Sequence, residues 1–209
     1  MNKTFARNLL AASLIGGAAI GLSGVAHAET YGDPDGMAGW QIAQAYNDCA
    51  IMAAADVIGQ MTGNEPAEDE IVNYAANTRS VSRPSDMIFR FDKFDGDPDG
   101  GTVFADLPVV LGHYGVSSKF IENASLGSIE QALANGGAVI VNLNAELIWD
   151  SEGDRTESDH ALVVTGVDTD NGIVHLNDSG GDDGADEQVS IKTFKASWAT
   201  SGNEMVVAT

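Results

Sequence analysis

Gln44-Ala45-Tyr46-Asn47-Asp48-Cys49-Ala50-Ile51-Met52 holds the only cysteine of this 209-residue chain and decides how the rest is read. Asn47 and Asp48 are good N-cap types, because a short side-chain oxygen can accept from a free amide of a first helical turn. After Cys49, apolar residues recur at Ile51, Ala54, Ala55 and Ile58, with Met61 and Thr62 beyond. This spacing predicts a helix with one buried face, and Gly63 is a natural stop. Cys49 then lies in the first turn, where the helix dipole and unpaired amides favour an anion. The thiolate is the form that attacks carbonyls. The alternative is a small buried apolar side chain, a common fate of free cysteine.

Working outward, the chain opens with a basic start at Lys3 and Arg7 and an Ala- and Gly-rich apolar run over residues 9–22. Ala26-His27-Ala28 follows, with small residues in the pattern of a cleavage site. Residues 1–28 are therefore expected to be a secretory signal peptide, with the mature chain secreted (extracellular or at the cell envelope) after cleavage near Ala28. The run is too short for a comfortable membrane span, and no second one follows, so no membrane span is expected. The formal net charge is −21, and losing Lys3 and Arg7 leaves 8 basic against 31 acidic residues. Such a charge repels nucleic acid and anionic lipid, and both are excluded as partners. Nothing in the sequence sets an oligomeric state. One cysteine cannot form an internal disulfide, and an unpaired thiol in an oxidising compartment suggests an intermolecular bridge or a reactive group. That consideration favours the nucleophile reading of Cys49.

Residues 29–39 are turn-rich and read as a mature N-terminal arm, leaving 40–209 as one domain. A second helix is expected over 66–76, with Asn64 as its cap and Pro66 in its first turn. A short helix over 107–114 should close at Gly115, and 116–121 should be a strand. Ser128 is placed as the cap of a helix over 129–134. Residues 138–143, Ala-Val-Ile-Val-Asn-Leu, form a buried strand by their β-branched run. A long polar loop is expected over 144–158. Strands then follow at 160–167, 173–177, 188–191 and 205–207, with a short helix at 194–198. Asn171-Gly172 makes a hairpin turn between the first two of these. Helices first and strands second indicate an α+β domain.

Asp95-Gly96-Asp97-Pro98-Asp99-Gly100, followed by Asp106, puts carboxylates at loop positions one, three, five and twelve and glycine at six. This resembles an EF-hand calcium loop. It departs in ending on aspartate and in containing Pro98, and a solvated acidic turn is the alternative. Calcium is thus a possible ligand, and no cofactor is required.

A thiol nucleophile needs a base, the base needs an orienting group, and the oxyanion needs donors. The order here is Cys49, then His160 opening a strand, then Asn177-Asp178 ending the next. A hairpin can set the start of one strand beside the end of its partner. His175 and His113 read better as packing or helix-end residues. Gln44 at the loop before Cys49, His160-Ala-Leu-Val-Val-Thr-Gly-Val-Asp168, Val174-His-Leu-Asn-Asp-Ser179 and Phe194-x-x-x-Trp198 together resemble the C39-like branch of papain-fold cysteine peptidases over residues 40–200.

The resemblance implies a papain-like fold, with N-terminal helices carrying the cysteine at a helix start and a C-terminal antiparallel sheet. It makes Cys49 the nucleophile, His160 the general base and acid, and Asp178 the orienting acid, with Asn177 as the alternative third member. It makes Gln44 the oxyanion side-chain donor, with Gln41 as the alternative and the Cys49 amide as the second donor. The family's usual glycine after the cysteine is Ala50 here, its proline after the aspartate is Ser179, and its glutamine six residues before the cysteine is Ala43. Trp198 is assigned to the core, or to shielding the His–Asp pair. The implied activity is amide hydrolysis on a peptide or protein substrate through a thioester. The rival is a catalytically inactive extracellular binding module on the same fold, stabilised by calcium.

Overall fold

The computed structural model describes residues 30–93 and 100–209. The elements run β1 (Thr30–Gly32), α1 (Pro34–Met37), α2 (Cys49–Thr62), α3 (Glu68–Asn77), β2 (Phe89–Arg90), β3 (Gly101–Thr102), α4 (Leu107–His113) and β4 (Ser118–Ile121). They continue with α5 (Leu126–Ala134), β5 (Ala138–Leu143), α6 (Ala145–Ile148), β6 (His160–Asp168), β7 (Ile173–Asn177), β8 (Glu187–Ser190), α7 (Ile191–Trp198) and β9 (Met205–Ala208). This is an α+β architecture around one antiparallel sheet in the order β4-β9-β5-β6-β7-β8, with β1 also paired to β6. The predicted signal peptide and Asp95 to Asp99 of the acidic loop lie outside the described residues.

The sheet is covered on both faces, which explains why β5 and β9 read as continuous apolar runs. One face carries Ile140, Ala161, Val163 and Val206 against α2, α3 and α4. The other carries Val141, Leu143, Leu162 and Leu176 against Ile129 of α5 and Phe194 and Trp198 of α7. Helix α2 runs through the first core, and all of its residues from Ala50 to Gly59 are buried. Five of the fourteen residues of α2 are alanine or glycine, which lets it lie close to the sheet. It stops at Gly63, whose φ of 74° is the left-handed cap expected of that glycine.

Several boundaries differ from the sequence reading, each for a local reason. The arm predicted over 29–39 is tied down from Thr30 onward: β1 pairs with β6 beyond the end of the β5 ladder. Helix α3 begins at Glu68 behind Ala67, so Asn64 does not cap it. Helix α5 is capped by Ser125, and Ser128 is the reciprocal member of its capping box, so the helix starts one turn earlier than expected. The supposed loop 144–158 begins with α6, capped by the Asn144 side chain. Among the described residues no helix is long and apolar enough to cross a membrane.

Candidate active site

Cys49 is the first residue of α2, with Asp48 at the N-cap position. His160 is the first residue of β6, and Asp178 directly follows β7. Because β5 and β7 flank β6, the start of β6 and the end of β7 share one edge of the sheet, and the N-terminus of α2 is packed over it. The imidazole of His160 is buried, and its Nε2 lies 2.8 Å from Asp178 Oδ1. The other ring nitrogen is left for Cys49, whose side chain hydrogen-bonds the same ring. A cavity of about 260 Å³ opens at this point, lined by Cys49, His160, Asn47, Thr102, Asn142 and Asp159 among others.

Electrostatics favour a charged imidazole. Burial alone would lower the His160 pKa, but hydrogen bonds to Asp178 and Cys49 and the charges of both outweigh it and push it up to about 10. Burial likewise works against the Asp178 carboxylate, yet His160, the Gly180 amide and the Trp149 indole hold its pKa below the usual range. Asp178 Oδ1 accepts from Gly180 N at 2.6 Å, and Oδ2 accepts from Trp149 Nε1 at 2.8 Å.

Asn177 is turned away from His160. Its amide donates to Asp56 Oδ2 at 2.8 Å and to Met37 O at 2.9 Å, tying β7 to α2 and the N-terminal segment. Asp178 is therefore the group in contact with the histidine. The two glutamines also differ from expectation. Gln44 donates to Tyr46 O at 2.9 Å and accepts from the Ser179 hydroxyl at 2.8 Å, while Gln41 donates to Asp178 O at 2.7 Å. Both bind the loop before Cys49 to the loop after Asp178, and neither lines the cavity. Asn47, two residues before Cys49, does line it, and its amide donates to Asp92 at 2.7 Å. The five-residue spacing from Gln44 to Cys49 sets that side chain against the Ser179 strand end instead of the cleft.

Other groups emerge only from the structure. Trp149 stands over His160 with ring centroids 5.1 Å apart, so it covers the His–Asp pair from solvent. The shielding role considered for Trp198 thus falls to Trp149, and Trp198 is a core residue whose indole donates to Glu204 O. Gly184 folds the acidic loop back so tightly that a Cβ there would stand 1.9 Å from Asp178 O, so only glycine fits. Aromatic type at Trp149 was the one sequence signal available for these. Asp106, placed at position twelve of the supposed calcium loop, accepts from the backbone amides of Val81 and Ser82, each at 3.0 Å, and so braces a neighbouring turn. His175 pairs with Asp186, and His113 stacks on Tyr74, which are packing roles.

Asp48 departs from its expected capping role. Its backbone carbonyl accepts from Ile51 and Met52, but its carboxyl makes no cap bond and is fully buried without a donor. Burial first, and then the charge of Glu68, push its pKa up to about 7. A carboxyl raised in the folded state favours folding below its unfolded value near 3.8, and that contribution is lost as pH climbs through 7. Asp48→Asn should therefore stabilise the protein at pH 8 by roughly 2–4 kcal/mol, with the gain shrinking toward pH 4. Urea denaturation of both proteins at the two pH values measures this directly.

The geometry can be set beside known proteins. The model of the Peptidase_C39 like family matches residues 40–206. Uncharacterized proteins of Mycobacterium tuberculosis and Mycobacterium bovis are 44% identical over 213 residues, covering 93% of this chain and 92% of theirs. A crystal structure from Bacillus anthracis, reported as a C39-like peptidase, superposes with a TM-score of 0.65 at 15% identity, covering 87% of this chain and 98% of that one. The likeness to that structure is one of fold. With the family model spanning the Cys49 helix, the His160 strand and the Asp178 turn together, the chain belongs to the Peptidase_C39 like family.

Proposed function

We propose that this protein is an exported cysteine peptidase that hydrolyses amide bonds of peptide or protein substrates through Cys49, His160 and Asp178. The observation that carries the reading is the continuous contact from Cys49 to His160 to a buried Asp178 whose carboxylate has two further donors, Trp149 Nε1 and Gly180 N, in place. A satisfied buried carboxylate beside a histidine is costly to build and holds the imidazole in one orientation. Export is supported by the apolar run and the Ala26-His27-Ala28 pattern.

In the cycle, the Cys49 proton rests on His160, and the thiolate attacks the scissile carbonyl carbon. The electron pair moves to the carbonyl oxygen, next to the unpaired first-turn amide of Cys49. Asn47 lines the cavity, and the second hydrogen of its amide, beyond the one given to Asp92, is the proposed side-chain donor, while Gln44 holds the loop. Collapse of the tetrahedral species breaks the C–N bond, and imidazolium His160 gives its proton to the leaving amine. Neutral His160 then takes a proton from water, whose oxygen attacks the thioester and returns Cys49 as leaving group. Asp178 stays ionised throughout and stabilises the imidazolium. Among the described residues the cavity lining holds no Lys or Arg.

The test is turnover of an unfolded polypeptide by the mature chain, beginning at Glu29, against Cys49→Ala. Cleavage products formed by the first and absent from the second are expected. Equal, background-level cleavage by both proteins across unfolded substrates of varied composition would sink the reading.

A further inference from the structure

Glu187 opens β8 and stands opposite Leu176 in the antiparallel β7–β8 ladder. Asp178 comes two residues after Leu176, so strand alternation returns its side chain toward the face shared by Leu176 and Glu187, on the diagonal of that pair. The Glu187 and Asp178 carboxyls are in hydrogen-bonding contact. They share a cavity of about 400 Å³ with Trp149 and residues of the loop 180–184. Two carboxyls in contact need a proton between them. Asp178 already faces His160, Trp149 and Gly180 and is held ionised. The proton therefore belongs to Glu187, whose pKa is pushed up to about 7 by burial and then by the Asp178 charge and hydrogen bond.

We propose that Glu187 is a positioning residue of the His160–Asp178 pair. While neutral it donates a hydrogen bond to the Asp178 carboxylate, and once ionised it sets a second negative charge beside the pair that holds the imidazolium. For its consequence in turnover the proposal rests on the peptidase reading. The charges facing Glu187 are few. Asp178 comes from the end of β7 and His160 from β6, and these two act on it directly. Asp182 and Asp183 line the same cavity from an exposed loop. Asp186 is engaged by His175 and Gln188. Helix α7 packs on β8, and its Lys192 and Lys195 are exposed.

The sign follows from the charge states. Below about pH 7 wild-type Glu187 is neutral, and Glu187→Gln imitates it, donor included. Above that pH the wild type gains a charge that the variant lacks, so His160 in the variant releases its proton at lower pH. The experiment is an NMR titration of the His160 ring in the mature protein, Glu187→Gln, Glu187→Ala and Asp183→Asn. Both Glu187 variants should lower the His160 midpoint by about half a pH unit or more, and Asp183→Asn should leave it in place. The alkaline limb of hydrolysis should move with it in the Glu187 variants. An unmoved midpoint in both Glu187 variants, or an equal shift in Asp183→Asn, would overturn the proposal. Ring titration needs no turnover. A shifted midpoint in a protein that cleaves nothing would thus keep the carboxyl contact and reject the peptidase reading, and cleavage with an unmoved midpoint would do the reverse.

Discussion

Replacing His160 with alanine is expected to lower amide hydrolysis by about 10³–10⁴-fold or more, the range seen when one member of an interdependent nucleophile–base unit is lost. The expected loss is this large because in the proposed cycle His160 serves twice, taking the thiol proton and later protonating the leaving amine. Among the described residues neither other histidine can substitute: His175 is held by Asp186, and His113 is stacked on Tyr74. The loss should fall on kcat, with KM changed little, since the ring is buried behind Cys49 and offers no broad binding surface. Stability should also drop modestly at pH 6, because an imidazolium raised to about 10 in the folded state contributes fully below its unfolded value near 6.5 and is lost only as pH rises through 10. Comparing unfolding midpoints at pH 6 and pH 10 separates that effect from the catalytic one.

Trp198→Ala is the substitution expected to cost most in stability, about 3–5 kcal/mol by the loss of a large buried ring. Trp198 is fully buried, packs on Phe194 at 5.5 Å, and donates its indole N–H to Glu204 O at 2.7 Å. Truncation leaves both a cavity beside β9 and a carbonyl short of its donor. Urea denaturation should show a lower midpoint at an unchanged slope. Trp149→Phe gives the contrast. That ring is 46% exposed, so stability should change by less than about 1 kcal/mol. The phenyl ring keeps part of the cover over His160 but lacks the indole N–H that donates to Asp178, so hydrolysis should fall by about tenfold or more.

These two tryptophans show what the sequence carried and what it did not. Strands β5, β6, β7 and β9 and helix α2 were legible because each buries a long run, and apolar periodicity reports burial over such lengths. The helix-start cysteine, the strand-opening histidine and the aspartate after the hairpin were legible as candidates, since hairpin geometry alone brings the last two near each other. The family resemblance supplied their roles. Boundaries failed where two cap residues compete, as with Ser125 and Ser128, because either can accept from a first-turn amide. β1 was read as an arm because three residues, Thr30-Tyr31-Gly32, carry too little pattern, and its strand conformation comes from pairing with β6. Trp149, Gly184 and Glu187 lie on segments whose approach to Asp178 is tertiary. No local spacing encodes a loop that folds back until a glycine meets the Asp178 carbonyl. Gln44 is a similar case: near the cysteine in sequence, its side chain is held by Ser179 across the fold.

The central claim is that Cys49 and His160 form an activated thiolate–imidazolium pair. It is tested most directly by the rate of Cys49 alkylation with iodoacetamide from pH 5 to pH 9, in the mature protein and in His160→Ala. The account predicts a fast rate that persists well below the ordinary thiol range near 8.5, and a drop of about 100-fold or more at pH 5.5 in the variant. A slow rate that follows an ordinary thiol titration and is unchanged by the substitution would contradict it. The fold would then be serving as a binding module.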